Sequence, residues 1–124
     1  CYAYPYREVI DGVYLGYANR ANNPVAPEVL GFLEDGFYFE TDLERARELL
    51  AEAGIAEGTE LTAATTGGSD LAFLELFQAN LAEIGIPLAI EQIEQSTYVG
   101  LIYGDTPVEE RPNFMSQSWW PDYN

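Results

Sequence analysis

The apolar positions in the middle of the chain recur at helical spacing. Between residues 41 and 54 they line one face, and a second series follows at intervals of 3, 3, 4 and 3: Leu71, Leu74, Phe77, Leu81 and Ile84. Such spacing is typical of amphipathic α-helices that bury one side. Gly54 and Gly85 follow the two segments and are suited to end a helix. The pattern therefore predicts two helices, over residues 41–53 and 70–84.

Polar residues before these segments predict where the helices begin. Thr41 is followed three residues later by Glu44, a spacing that allows each side chain to bond the other's backbone amide. Ser69 or Asp70 is suited to cap the second helix. A further helix is predicted over residues 4–15, where apolar residues again share one face and Gly16 follows.

Short runs, the first of them rich in Thr, alternate with the helices. They predict three strands, at residues 59–66, 86–93 and 113–118. A short helix ending at Tyr103 follows the second strand, with Ser96 or Thr97 as its cap. Strands that alternate with helices form right-handed βαβ units. The predicted fold class is α/β, a parallel βαβαβ sheet with flanking helices.

The chain divides into two parts by composition. Residues 1–40 combine the first helix with an irregular segment rich in Pro and Asn, and residues 41–124 form the α/β core. An irregular stretch as long as residues 17–40 is uncommon inside a compact domain unless it is functional or packs against another body. From its length we expect the chain to form a single domain.

Composition and charge exclude several classes of function. The 124 residues include 21 Asp and Glu, five Arg and Lys together, and no His, which gives a formal net charge of −16. Nucleic acids and anionic membranes need a basic surface and are not expected partners. Without His and with one Cys, most zinc sites and Ser-His-Asp or Cys-His chemistry are excluded. We expect no metal and no cofactor, and we favour a binding function over an enzymatic one.

Cys1 has two interpretations. An amino-terminal cysteine is the lipid-modified residue of bacterial surface lipoproteins, but here an amphipathic segment follows almost at once instead of a polar tether. We therefore favour the interpretation that Cys1 is an internal residue of a longer chain.

The segment Ser118–Asn124 carries the candidate site. In open parallel sheets, ligands bind beyond the carboxyl ends of the strands. After the third strand the chain places aromatic rings and one carboxylate in this position: Trp119, Trp120, Asp122 and Tyr123. Aromatic faces accept apolar groups or sugars, and an Asp binds an ammonium group. Core packing of the indoles and a turn role for Asp122 are the alternatives. The loop at residues 66–69 is expected to be an ordinary strand-to-helix turn.

Several segments, in order, resemble one family. These are YPYREVIDGVYLGYA (4–18), TDLERARELLAEAGI (41–55), a Thr-rich strand ending in TTGG (65–68), LFQANLAEIGIPLAI (76–90) and NFMSQSWWPDY (113–123). Together they resemble the carboxy-terminal lobe of the extracytoplasmic solute-binding proteins of family 5, which serve ABC importers of peptides, nickel and oligosaccharides.

The resemblance implies a two-lobed periplasmic-binding-protein-like receptor, in which residues 1–124 would be a single partial domain of one lobe, excised from a larger chain. Its solute would be captured between the lobes, outside the cytoplasm, and delivered to a membrane permease. In peptide-binding members the Asp of a Trp-x-x-Asp motif pairs with the ligand's terminal ammonium, and Trp119 to Asp122 match that motif. In a sugar-binding member, Trp119 or Trp120 would be a stacking platform instead.

Two further classes of function remain open at this stage. A small acidic α/β hydrolase working with two carboxylates is supported only by the abundance of acids. A protein-interaction module with a negative face would bind a basic partner in a salt-dependent way. We also expect self-association of the isolated chain, because apolar surface and a strand edge would be left uncovered.

Overall fold

The computed structural model describes residues 1–21, 25 and 29–116. The elements in chain order are α1 (Tyr6–Glu8), a π-helical turn (Val9–Val13), α2 (Leu43–Glu52), β1 (Leu61–Thr65), α3 (Ser69–Glu83), β2 (Leu88–Gln92), α4 (Gln95–Tyr103), a 3₁₀ turn (Val108–Glu110) and β3 (Phe114–Met115). The strand and helix order expected from the sequence is confirmed.

The three strands form a parallel sheet in the order β2-β1-β3. Leu61 lies opposite Leu88, and Ala63 lies opposite both Ile90 and Phe114. The central strand is the most deeply buried part of the sheet, since Ala63 and Thr65 are 1% and 0% exposed. The predicted parallel βαβαβ sheet is therefore confirmed.

The core lies between the sheet and α3. Leu74, Phe77 and Leu81 of α3 form one buried cluster with residues of all three strands or their flanks. Full burial of such a side chain contributes about 1.5–3 kcal/mol. On the other side of the sheet, Ala64 and Leu101 of α4 line a common groove, so the two crossover helices flank opposite faces.

The start of α2 differs from the sequence expectation by one residue. Asp42, not Thr41, is the N-cap, and its carboxylate accepts a hydrogen bond from the Arg45 amide at 2.9 Å. The Thr41 hydroxyl instead donates to the Tyr4 carbonyl oxygen at 2.6 Å. The predicted capping box of Thr41 with Glu44 is therefore wrong, because the Thr41 hydroxyl forms its hydrogen bond with the amino-terminal segment.

The first helix is shorter than predicted and changes type. Only residues 6–13 are helical, and Val9–Val13 form a π-helical turn in which the Tyr14 amide donates to the Val9 carbonyl oxygen at 3.1 Å. Gly16 follows at a φ of 78° and ends the segment as expected.

No helix or strand occurs among the described residues between 17 and 40, as the sequence predicted. Arg20 holds this segment against α1. Its guanidinium lies 4.4 Å from the centroid of the Tyr6 ring and 5.2 Å from that of Tyr38. It also bonds Glu40 at 2.6 Å and the Phe39 carbonyl oxygen. Stacking and hydrogen bonding thus position the described part of this segment, in which no strand pairing occurs.

Strand β3 is shorter than the predicted run at residues 113–118. Asn113 is joined to Thr62 through its side chain, whose Oδ1 accepts from the Thr62 amide at 2.8 Å. The ladder therefore begins only at Phe114. Residues 117 and 118 lie outside the described residues.

Candidate functional site

The carboxyl ends of the strands meet at one edge of the sheet because all three strands are parallel. β1 ends at Thr65, β2 at Gln92 and β3 at Met115. Helix α3 begins at Ser69, directly beyond β1. Ligands of open parallel sheets bind at such an edge, where helix amino termini and loops converge. We take this edge as the candidate site.

The residues that the sequence singled out come after the last strand along the chain. Trp119, Trp120, Asp122 and Tyr123 lie outside the described residues, so their roles remain predictions. The described chain ends with Ser116, three positions before Trp119. The geometry of the site is therefore described from the groups that surround Ser116.

Two side chains from different helices hold Ser116. Its hydroxyl donates a hydrogen bond to the carboxylate of Asp70, in the first turn of α3. Its backbone carbonyl accepts a hydrogen bond from the hydroxyl of Tyr98, a residue of α4 that is 7% exposed. Both the side chain and the backbone of Ser116 are thus fixed at the end of β3.

The sequence predicted Ser69 or Asp70 as the cap of α3, and this prediction is wrong. Gly68 occupies the N-cap position of α3, and the structure gives this cap no side-chain hydrogen bond. The Asp70 carboxylate still lies in the first turn, where the helix dipole favours a negative charge. Its hydrogen bond goes to a residue 46 positions later, a partner that local sequence patterns do not reveal. The predicted cap of α4 is wrong as well, because Glu94, not Ser96 or Thr97, is its N-cap.

The loop between β1 and α3 is fixed by backbone conformation and by Gln92. Gly67 and Gly68 have φ values of 101° and 67°. The Thr65 hydroxyl oxygen accepts from the Gly67 amide at 3.0 Å, and the Gln92 side-chain amide donates to the Thr66 carbonyl oxygen at 3.4 Å. The expected strand-to-helix turn is confirmed, with additional bonds that tie it to the end of β2.

Tyr4 is the titratable group near this edge with the largest shift. Burial raises the pKa of Tyr4 to about 12, and the charges of Tyr14, Tyr6 and Asp70 act in the same direction. Its ring packs against those of Tyr6 and Phe77, with centroids 5.0 and 5.5 Å away. Tyr4 therefore remains a neutral phenol through the physiological pH range.

The groups that converge at this edge are hydroxyls, amides and the Asp70 carboxylate, all of which are hydrogen-bonding groups. Among the described residues no group of three or more metal-ligating side chains occurs. In the same part of the chain, no helix has the length and apolar character needed to cross a bilayer. An apolar cavity of about 410 Å³, lined by Leu50, Leu61 and Phe114 among others, lies near the opposite end of the sheet.

Comparison with known proteins gives a family match over the whole chain. The model of the bacterial extracellular solute-binding proteins, family 5 Middle, matches residues 1–124. The di/tripeptide-binding protein 2 of Pseudomonas aeruginosa is 37% identical over 87 residues, which are 66% of this chain and 16% of that protein. Heme-binding protein A of Haemophilus influenzae is 31% identical over 93 residues, or 68% of this chain and 17% of that protein.

Solved structures are similar as well. The ABC transporter-associated periplasmic binding protein DppA from Helicobacter pylori, in complex with the peptide STSA, has a TM-score of 0.73 and 34% identity. The match covers 79% of this chain and 19% of that one. The chain thus spans less than a fifth of the length of each of these relatives.

Proposed function

The chain belongs to family 5 of the bacterial extracellular solute-binding proteins, and from this premise we propose that it is part of the peptide-binding receptor of an ABC importer. The observation that carries the proposal is its 37% identity to a di/tripeptide-binding protein. The similarity to a periplasmic binding protein in complex with a tetrapeptide supports the same ligand class. The family is made of solute-binding proteins, and we propose capture of a solute without chemical change.

The proposed receptor is a longer, two-lobed protein that works outside the cytoplasm and passes its solute to a membrane permease. The 124 residues would form a partial domain in one lobe, the carboxy-terminal one. Each of the relatives compared is more than five times longer than the segment it shares with this chain. Closure of two lobes around a solute is a common route to removing a ligand from water.

Within the receptor, we assign ammonium binding to Asp122 and the walls of the ligand pocket to Trp119, Trp120 and Tyr123. The support is their position in the sequence: they follow β3, which ends at the carboxyl edge of a parallel sheet. A carboxylate and an ammonium group in a closed cleft attract each other more strongly than in water, although their desolvation must be offset.

Calorimetric titration of the full-length receptor tests the ligand class. We expect binding of dipeptides and tripeptides with a free amino terminus, and no heat from oligosaccharides or heme at the same concentrations. Binding of an oligosaccharide with no response to any peptide would favour the sugar-binding alternative. That result would transfer the role of the two indoles to stacking on a sugar ring.

Self-association of the isolated 124 residues remains part of the proposal. Large apolar side chains are exposed in the described part of the chain, including Leu15 at 73%, Leu30 at 101% and Phe37 at 68%. Exposed apolar surface of this kind favours association. Light scattering across a concentration series should show a rising apparent mass, and a constant monomer mass would contradict the expectation.

A further inference from the structure

We propose that the apolar cavity between α2, α3 and the sheet is a docking site for the residues that precede Cys1 in the full-length receptor. The inference rests on the proposed function, because that function makes these 124 residues part of a longer, two-lobed protein. It goes beyond that function by naming the surface through which this part of the lobe holds another segment of the same receptor.

The cavity has a volume of about 410 Å³ and an almost entirely apolar lining. Its walls come from the two helices and from the starts of β1 and β3, and they include Leu50, Phe77, Leu61 and Phe114. It is open to solvent, since Ile55 lines it and is 44% exposed. A dry cavity of about 150 Å³ already holds a benzene molecule, so this one accommodates about two or three large apolar side chains.

The lining determines the chemistry of the occupant. Protein interiors are packed as densely as organic crystals, and apolar side chains gain free energy when they leave water. A segment with apolar side chains is therefore stabilised on entering the cavity. A charged or polar segment would lose its hydration there without finding hydrogen-bonding partners. The cavity thus fits an apolar stretch of chain.

The first residues of the chain are fixed at the mouth of the cavity. Cys1 lines it and is itself exposed. The Tyr2 carbonyl oxygen accepts a hydrogen bond from the Asp42 amide at 2.8 Å. The Ala3 carbonyl oxygen accepts one from the Asn80 side-chain amide at 3.0 Å. Asp42 caps α2 and Asn80 belongs to α3, so both helices that form the walls hold the point at which preceding residues join.

Residues joined to Cys1 reach the whole cavity within a few positions. A sphere of the same volume is about 9 Å across, a distance that about three extended residues span. The chain that follows β3 is placed less well, because this strand starts at the cavity with Phe114 and runs towards the opposite edge of the sheet. The position in the fold therefore favours residues before Cys1.

A second copy of the chain is a weaker candidate for the occupant. Each copy has a formal charge of −16, so two copies repel each other. A segment of the same receptor is covalently attached, and its effective concentration at the cavity is on the order of millimolar. The relatives compared are more than five times longer than the segment they share with this chain, so such a receptor has ample chain to supply the occupant.

Photo-cross-linking in the full-length receptor tests the occupant directly. p-Benzoylphenylalanine replaces Ile55, which lines the cavity, or Val108, which is 80% exposed and does not line it. After irradiation and digestion, mass spectrometry should find the probe at position 55 joined to the last residues before Cys1, and the probe at position 108 not joined to them. Adducts of the first probe with any other segment or with a second copy, or no adduct at all, would overturn the proposal.

The stability of the same receptor gives a second test. Ala46→Leu adds volume at an α2 residue that lines the cavity and is 8% exposed. If the preceding residues fill the cavity, the added atoms overpack it and should lower the urea midpoint. A raised or unchanged midpoint would contradict the proposal, since an empty cavity would accept the larger side chain. Ala51→Leu, at an exposed position of α2, controls for helix propensity and should change the midpoint little.

Neither measurement involves a ligand, so the docking site and the proposed function can fail separately. A receptor that gives the expected cross-link and the lowered midpoint but binds no dipeptide or tripeptide would contradict the proposed function and support the docking site. A receptor that binds these peptides but gives no such cross-link would overturn the docking site alone.

Discussion

Gly67 and the side chain of Gln92 meet so closely that a Cβ at position 67 would lie 2.6 Å from Gln92 Nε2. The backbone of Gly67 also has a φ of 101°, a conformation that side chains with a Cβ rarely adopt. The φ of Gly67 therefore requires glycine at this point of the β1–α3 loop, beside the candidate site, whereas the close contact with Gln92 can be relieved by movement of a flexible side chain.

Gly67→Ala should destabilise the fold by about 1–3 kcal/mol, mainly through backbone strain, because the Gln92 side chain can move aside. Urea denaturation measures the free energy of unfolding. Gly58→Ala, at a φ of 81° with no atom near the added Cβ, reports strain alone. Gly100→Ala, inside α4 with open space around it, should instead stabilise by up to about 1 kcal/mol. Similar values for Gly67→Ala and Gly100→Ala would contradict this account.

Asp42→Ala should cost about 1 kcal/mol, because it removes the acceptor for the Arg45 amide at the start of α2. Thermal and urea denaturation of the same variants measure the loss. Glu44→Ala is the matched control. The sequence predicted that Glu44 takes part in a capping box with Thr41, and the structure does not contain that capping box. A larger loss from Glu44→Ala than from Asp42→Ala would restore the capping box.

These cases show which features the sequence predicts. The spacing of Leu74, Phe77 and Leu81 is fixed by burial on one helix face, so the helix and its buried side could be predicted. The cap of α2 could not be predicted in the same way, because Thr41 and Asp42 are adjacent and both are suited to it. Thr41 does not cap the helix because its hydroxyl binds the carbonyl oxygen of Tyr4, 37 positions away in the sequence.

The candidate site was predictable only to the level of a sheet edge. Parallel strands bring their carboxyl ends together, so the edge itself followed from the order of strands and helices. The partnership of Asp70 with Ser116 joins α3 to the end of β3 across 46 positions. Neither residue has a neighbour in sequence that signals this contact, and Asp70 matched the local pattern of a helix cap equally well.

The stability of the fold should fall as the pH rises from about 10 towards 12. The pKa of Tyr4 is raised from 10.0 to about 12 by burial, so the unfolded state releases this proton first. The contribution of the protonated Tyr4 to the free energy of unfolding is complete below pH 10, and it is lost as the pH rises through the folded-state pKa of Tyr4.

Urea denaturation at a series of pH values from 9 to 12 measures this dependence. Tyr4→Phe should reduce the loss of stability over that range, because the buried ring no longer carries an ionisable hydroxyl. Tyr17→Phe, at a ring that is 92% exposed, controls for the removal of one phenol. Equal slopes for wild type and Tyr4→Phe would show that Tyr4 ionises as easily in the folded state as in the unfolded one.

The most direct test of the receptor assignment is a thermodynamic cycle between Asp122 and the amino terminus of a peptide. The Kd values of a free and an N-acetylated tripeptide are measured for the full-length receptor and for its Asp122→Ala variant. If Asp122 binds the ammonium group, each single change should cost about 2–5 kcal/mol. The second change should then add little, since the interaction is already lost. Unchanged affinity in Asp122→Ala, or losses that simply add, would contradict the assignment of Asp122 as the ammonium-binding residue.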